Sequence, residues 1–219
     1  MRKHEVRYFQ CAACSFLHTE EAYWLEEAYA SALDERDTGL VMRNQRLTIT
    51  ASNVIYLLFN PHSRFLDFAG GCGLFVRLMR DVGFDFTWQD PYADNLLARG
   101  FEYQKGDDIE LITTFESFEH FQYPRLMLED LVEISSNILF TTELLDKKPP
   151  APEEWWYYGL EHGQHISFYN RRSLAALARP FGLNLYTDGK NVHLFTREKF
   201  SPTYFKWLVT YLRKPLSYW

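Results

Sequence analysis

Asp67 is followed by Phe68 and then by the small residues Ala69, Gly70, Gly71, Cys72 and Gly73. Where such a run turns from a strand into a helix, its backbone N–H groups meet a ligand with no bulky side chain to hold it off. Asp90 comes roughly 20 residues later, the spacing at which a carboxylate can take ribose hydroxyls. Two cofactor classes suit this arrangement, dinucleotides and S-adenosylmethionine. Val76 stands where the dinucleotide pattern wants its third glycine, the strand ends in an acid, and the chain closes on a hairpin, so S-adenosylmethionine fits better. An NAD(P)-linked oxidoreductase is the alternative that the turn and Asp90 alone would allow.

A second set of chemistry-bearing residues is His120, His162 and His165, with Glu116 and Glu119 close to the first of them in sequence. Imidazole titrates near neutrality and is the usual group for taking a proton from an acceptor. Trp155-Trp-Tyr-Tyr158 precedes two of these histidines and reads equally as an aromatic wall over a pocket or as core. Cys11-Ala-Ala-Cys14 has the spacing of half a zinc site, and tetrahedral zinc needs four ligands. His4 and His18 would complete the set only at unusual spacing, so free thiols or a module that has lost its metal are preferred, and no metal is expected. Cys72 is read as a small filler of the turn.

These residues need elements to hold them. Apolar residues at helical spacing from Thr19, namely Leu25, Ala28, Tyr29, Ala32 and Leu33, predict an amphipathic helix, with Glu26, Glu27, Asp34 and Glu35 on its solvated face. A second helix is predicted over 47–59, stopped by Pro61, then a buried strand over 64–68 and a helix through 74–82 closed by Gly83. Alternation predicts a strand over 84–89, completing a βαβ unit. Further on, the pattern predicts a helix around 95–99, a short strand near 101–104, a turn at Gly106-Asp107-Asp108 and a strand over 111–115. A helix over 126–135, a strand over 138–142, a helix over 174–181 capped by Gly182, and two strands over 183–187 and 192–196 finish the domain. This is an α/β fold: a Rossmann-like open sheet, mostly parallel with an antiparallel last strand, and helices on both faces. Ligands are expected outside the C-terminal ends of the strands. The expected segments are a small helical N-terminal extension (1–45), the cofactor-binding domain (46–196) and an amphipathic tail (197–219).

Composition narrows the partners. A chain of 219 residues with 47% hydrophobic content builds one core plus an appendage, and its net charge of −6 argues against nucleic acid. Three cysteines and no apolar leader point to the cytoplasm, and no apolar run approaches the ~20 residues of a membrane span. In the tail, Tyr204, Trp207, Leu208, Tyr211 and Leu212 keep helical spacing among five basic residues and one acidic. Packing back on the domain or self-association into a homo-oligomer is preferred there over a membrane surface.

Four ordered motifs carry a family resemblance. Phe65-Leu-Asp-Phe-Ala-Gly-Gly-Cys-Gly73 and Trp88-Gln-Asp90 resemble the first and second motifs of the class I S-adenosylmethionine-dependent methyltransferases, particularly a bacterial branch. Leu111-Ile-Thr-Thr-Phe-Glu-Ser-Phe-Glu-His120 is similar to that branch's fourth-strand signature, and Gly163-Gln-His-Ile-Ser-Phe168 to a segment following its fifth strand. The resemblance implies that Asp67 and the backbone of Ala69, Gly70, Gly71 and Gly73 face the methionine part of the cofactor. It implies that Asp90 takes the ribose and that Asp107 or Asp108 meets the adenine amino group. Ala69 replaces the first motif glycine, a departure that puts a methyl group where the backbone closely approaches the cofactor. Methyl transfer to a hydroxyl or amine of a small-molecule or glycan-type acceptor is then the expected activity, with His165 the first choice of base and His120 and Glu116 beside it. A cofactor-binding protein without catalysis is the remaining reading.

Overall fold

The computed structural model describes residues 4–29, 38–146 and 148–212. A hairpin of β1 (Tyr8–Gln10) and β2 (Leu17–Thr19) comes first, followed by the single turn of helix α1 (Leu25–Ala28). The long helix α2 (Leu40–Leu58) leads into β3 (Arg64–Phe68), α3 (Leu74–Val82) and β4 (Asp85–Gln89). Then come β5 (Ile109–Thr114), α4 (Pro124–Ile134), β6 (Ile138–Thr141) and β7 (Ser167–Phe168). Helix α5 (Arg171–Ala178), β8 (Asn184–Thr187), β9 (Val192–Thr196) and α6 (Pro202–Tyr211) complete the chain.

The main sheet has six strands in the order β4-β3-β5-β6-β9-β8. β4, β3, β5 and β6 run parallel, and β9 is antiparallel to both its neighbours. Side-chain alternation divides the core in two. Phe65, Leu111 and Leu139 face α2, α3 and α6, whereas Leu66, Ile112 and Ile138 face α4 and α5. Phe205 and Leu208 of α6 are fully buried, each worth roughly 2 kcal/mol by area, so the tail does pack back on the domain. Among the described residues no helix is long and apolar enough to cross a membrane.

Two local expectations change. The N-terminal segment is chiefly a hairpin whose β2 pairs with β7, placing Leu17 opposite Phe168 and extending a three-stranded sheet. Thr19 is the end of a strand rather than a helix cap, because Leu17, Phe168, Tyr157 and Tyr158 form their own small core. The helix begins only at Leu25; Ala32, Leu33, Asp34 and Glu35 lie outside the described residues. At 95–99 no helix forms, since the Asn95 side chain accepts from Ala98 N at 2.9 Å and competes with helical pairing. The expected strand near 101–104 is a single bridge between Glu102 and Trp88.

Candidate functional site

β3 delivers Asp67 to the end of the sheet, 3% exposed, where the Thr113 hydroxyl of β5 donates to Oδ1 at 2.7 Å. Burial pushes the Asp67 carboxyl up to about 7, the Thr113 bond opposes this, and the charge of Asp90 adds to it. The chain then turns through left-handed conformations at Ala69 (φ 57°), Gly71 (φ 54°) and Gly73 (φ 84°). Ala69 therefore adopts the backbone a glycine would, at a cost of roughly 1 kcal/mol. A Cβ on Gly70 would lie 2.7 Å from Asp67 Oδ2 and 2.8 Å from Trp88, so only glycine fits there. Above Gly71 a Cβ would meet nothing, leaving open space over the turn.

Asp90 ties this cradle together. Its Oδ2 accepts from Gly71 N at 2.9 Å, and its Oδ1 accepts from Tyr92 N and Ala93 N at 2.8 and 2.9 Å. A carboxylate has about four lone-pair sites, so three bonds leave one, on Oδ2, for a hydroxyl. The glycine turn, the buried acid and that remaining acceptor fit an adenosyl cofactor. Asp107 is not part of this end. Its Oδ1 accepts from Arg64 at 2.8 Å at the start of β3, and the register pairs Arg64 with Ile109 but Asp67 with Thr113. Asp108, exposed and next to Ile109, lies at that same far end of the strands.

The second cluster begins where β5 ends. Glu116 (φ 52°) is clamped to β6: its N–H donates to Thr141 Oγ1 at 2.8 Å, and that hydroxyl donates to Glu116 Oε1 at 2.8 Å. In the 3-10 turn Phe118–His120 the Phe118 ring stacks on Phe140 at 4.0 Å, which turns Glu119 inward to 0% exposure. Both Glu119 carboxylate oxygens are buried without a hydrogen-bond partner among the described residues. Burial and the nearby Glu116 charge push its carboxyl up to about 8. The Tyr157 and Thr142 hydroxyls, which bond each other at 3.2 Å, also face Glu119 and oppose that rise.

His120 Nδ1 lies 3.1 Å from the Gln164 carbonyl and 2.9 Å from the Tyr29 hydroxyl. His165 Nδ1 lies 2.6 Å from the Tyr157 carbonyl, and the two rings are 4.9 Å apart. A carbonyl only accepts, so in both rings Nδ1 carries the proton and Nε2 presents a lone pair. Burial holds His120 down at about 4 and His165 well below its usual range. His162 stands against His165, its Nδ1 accepting from Gln164 N at 3.1 Å.

His165 also lines a cavity of about 370 Å³ whose other walls include Tyr8, Thr19 and Trp24 of the N-terminal segment and Glu153 and Tyr158 of the loop after β6. Trp155-Trp-Tyr-Tyr158 thus divides its duties. Tyr157 and Tyr158 are buried, Tyr158 also facing the cavity, and Trp156 is 74% exposed. The Cys11 and Cys14 pair sits at the hairpin tip, while the histidines that would complete a metal set are engaged elsewhere. His4 Nε2 meets Glu27 at 3.1 Å, and His18 Nδ1 meets the Thr19 carbonyl at 2.7 Å between the rings of Phe9 and Phe16.

Tyr29 is the residue whose place the sequence conceals. Helical spacing makes it a face of α1, yet it stacks at 6.2 Å on Tyr92, next to the Asp90 loop, while its hydroxyl reaches His120. Only the 91-residue separation across the fold explains that contact.

A profile described as a methyltransferase domain matches residues 42–188. Curated protein sequences give no match. The fold is similar to that of a mitomycin 7-O-methyltransferase, with TM-score 0.52 and 16% identity over 75% of this chain and 59% of that one. It is similar to human N-acetylserotonin methyltransferase in complex with SAM (TM-score 0.51, 14% identity, 82% of this chain and 60% of that one). A plantazolicin methyltransferase in complex with SAH gives TM-score 0.52 and 13% identity over 78% of this chain and 94% of that one. The chain spans about three fifths of the first two and nearly all of the third. With the profile covering more than half of the sequence, the chain belongs to this methyltransferase domain family, as a class I S-adenosylmethionine-dependent methyltransferase.

Proposed function

We propose that the protein methylates an oxygen or nitrogen of a small, ring-bearing acceptor, sugar or aromatic, held in the cavity between the N-terminal hairpin and the loop after β6. One observation carries this reading: His165 belongs both to that cavity and to the cluster that follows β5, the strand next to β3 and its glycine turn. Mitomycin, N-acetylserotonin and plantazolicin in the names of the similar structures support a small-molecule acceptor. Tyr8, Trp24 and Tyr158 supply aromatic surface against which a ring can stack.

S-adenosylmethionine supplies a methyl group on a sulfonium, already a good leaving group, so positioning does most of the work. The backbone of Ala69, Gly70, Gly71 and Gly73 and the buried Asp67 cradle its methionine part, and Asp90 Oδ2 accepts one ribose hydroxyl. His165, neutral at physiological pH, offers Nε2 to the acceptor proton, and the Tyr157 carbonyl fixes its tautomer. His120 and Glu116 hold the adjoining wall. Within segment 1–45 the hairpin supplies acceptor contacts, 46–196 holds the donor site, and within 197–219 helix α6 braces α2.

Calorimetric titration with S-adenosylhomocysteine, beside NAD, tests the donor half. Micromolar binding that weakens at least about 10-fold in Asp90→Ala is expected; tight NAD binding with no homocysteine-product binding would overturn the reading. His165→Ala is expected to lower the rate about 100-fold or more on an accepted substrate, with affinity for the product cofactor unchanged. An unaltered rate would leave His165 only a loop-fixing role.

A further inference from the structure

We propose that Glu119, His120 and His165 bind one divalent cation of the zinc type. Each offers one ligand atom, and these atoms all lie within 4.8 Å of one another. Two imidazoles and a carboxylate are a donor set that zinc accepts with its fourth position left open. Ligand atoms around a zinc ion stand about 3.3 Å apart, so the three side chains need only draw in by roughly an ångström.

Two independent observations point the same way. Glu119 is wholly buried, and neither of its oxygens has a partner at ordinary hydrogen-bond distance among the described residues. Both histidines give Nδ1–H to a backbone carbonyl, of Gln164 and of Tyr157, the outer-shell bond that orients metal-bound imidazoles and frees Nε2 for the ion.

Of the three residues, His165 also lines the cavity. A cation there would hold an acceptor hydroxyl or carbonyl oxygen as its fourth ligand, and this consequence rests on the acceptor site proposed above; cation binding itself does not. It would also change the part played by His165, from a free Nε2 to a ligand, and select acceptors bearing an oxygen donor beside the methylated atom.

The test uses cobalt(II) as probe, in full-length protein carrying Cys11→Ser and Cys14→Ser so that the thiol pair cannot contribute. One equivalent is expected to give visible absorption bands that zinc abolishes by competition, and zinc is expected to raise the melting temperature. Glu119→Gln keeps the shape of the side chain and is expected to weaken cobalt binding at least 100-fold, as is His120→Ala, with circular dichroism confirming that each is folded. Absence of binding at millimolar cobalt in folded protein would overturn the proposal, as would equal binding in both variants, which would mark a surface ion only. Intact S-adenosylhomocysteine binding without cobalt binding would sink the cation alone; cobalt binding without S-adenosylhomocysteine binding would sink the donor site alone.

Discussion

Asp67 and Glu119 are both buried carboxyls at the ends of neighbouring strands, yet their surroundings differ. Asp67 is met by a hydroxyl at 2.7 Å and packs under a glycine that admits no side chain. Neither Glu119 oxygen has a hydrogen-bond partner among the described residues, and the ligand atoms of His120 and His165 lie within 4.8 Å of it. A buried carboxyl with a donor is part of a finished wall, and one without is half of an interaction. The proposed donor end is thus built by backbone shape, and the proposed acceptor end by side-chain chemistry.

Gly70→Ala strikes hardest at this contrast. Its new methyl would stand 2.7 Å from Asp67 Oδ2 and 2.8 Å from Trp88, so affinity for S-adenosylhomocysteine should fall at least about 100-fold, near 3 kcal/mol by calorimetry. Glu119→Gln should leave that affinity within about twofold. Equal losses in the two variants would mean that the two ends are one site and not two.

Asp67→Asn sharpens the account of the donor end through pH. The folded-state carboxyl is raised to about 7 from an ordinary 3.8, so the folded protein holds the proton more tightly than the unfolded chain between those values. Its contribution to stability is complete below the unfolded value and is lost as pH rises toward the folded one. Asparagine does not titrate. Urea unfolding should therefore show the variant gaining on the parent by about 3 kcal/mol between pH 5 and pH 8; a difference independent of pH would mean that Asp67 is solvated in solution.

The smallest effect belongs to the far end of the sheet. Asp107→Asn removes one of two acid partners of the exposed Arg64, costing under about 1 kcal/mol of stability. Affinity for S-adenosylhomocysteine should be unchanged. A measurable loss would bring Asp107 back to the cofactor.

Where periodicity was strong the elements could be read directly: β3 and β9 lie at the predicted residues, and Gly83 and Gly182 end their helical segments with positive φ. The glycine turn, Asp67 and Asp90 were legible because backbone conformation and strand termini leave a local imprint. Asp107 misled for the same reason that it was noticed. The resemblance supplied a turn after a strand, but that strand shrinks to one bridge, and the turn drops to the other end of β5. Thr19 misled because it suits a helix cap and a strand end alike, and only the cross-strand partner Tyr8 decides between them. The burial of Glu119 and the reach of Tyr29 depend on Phe140 and His120, residues too distant along the chain for any local pattern to register.

The pairing of β2 with β7 joins the hairpin to the very segment that bears His165, and the hairpin lies before the span shared with the family, 42–188. In the acceptor site proposed above, Tyr8, Thr19 and Trp24 therefore form a wall from outside the shared span, while Glu153, Tyr158 and His165 lie within it. Exchanging residues along the hairpin is then a way to reshape the proposed acceptor wall while the glycine turn stays untouched.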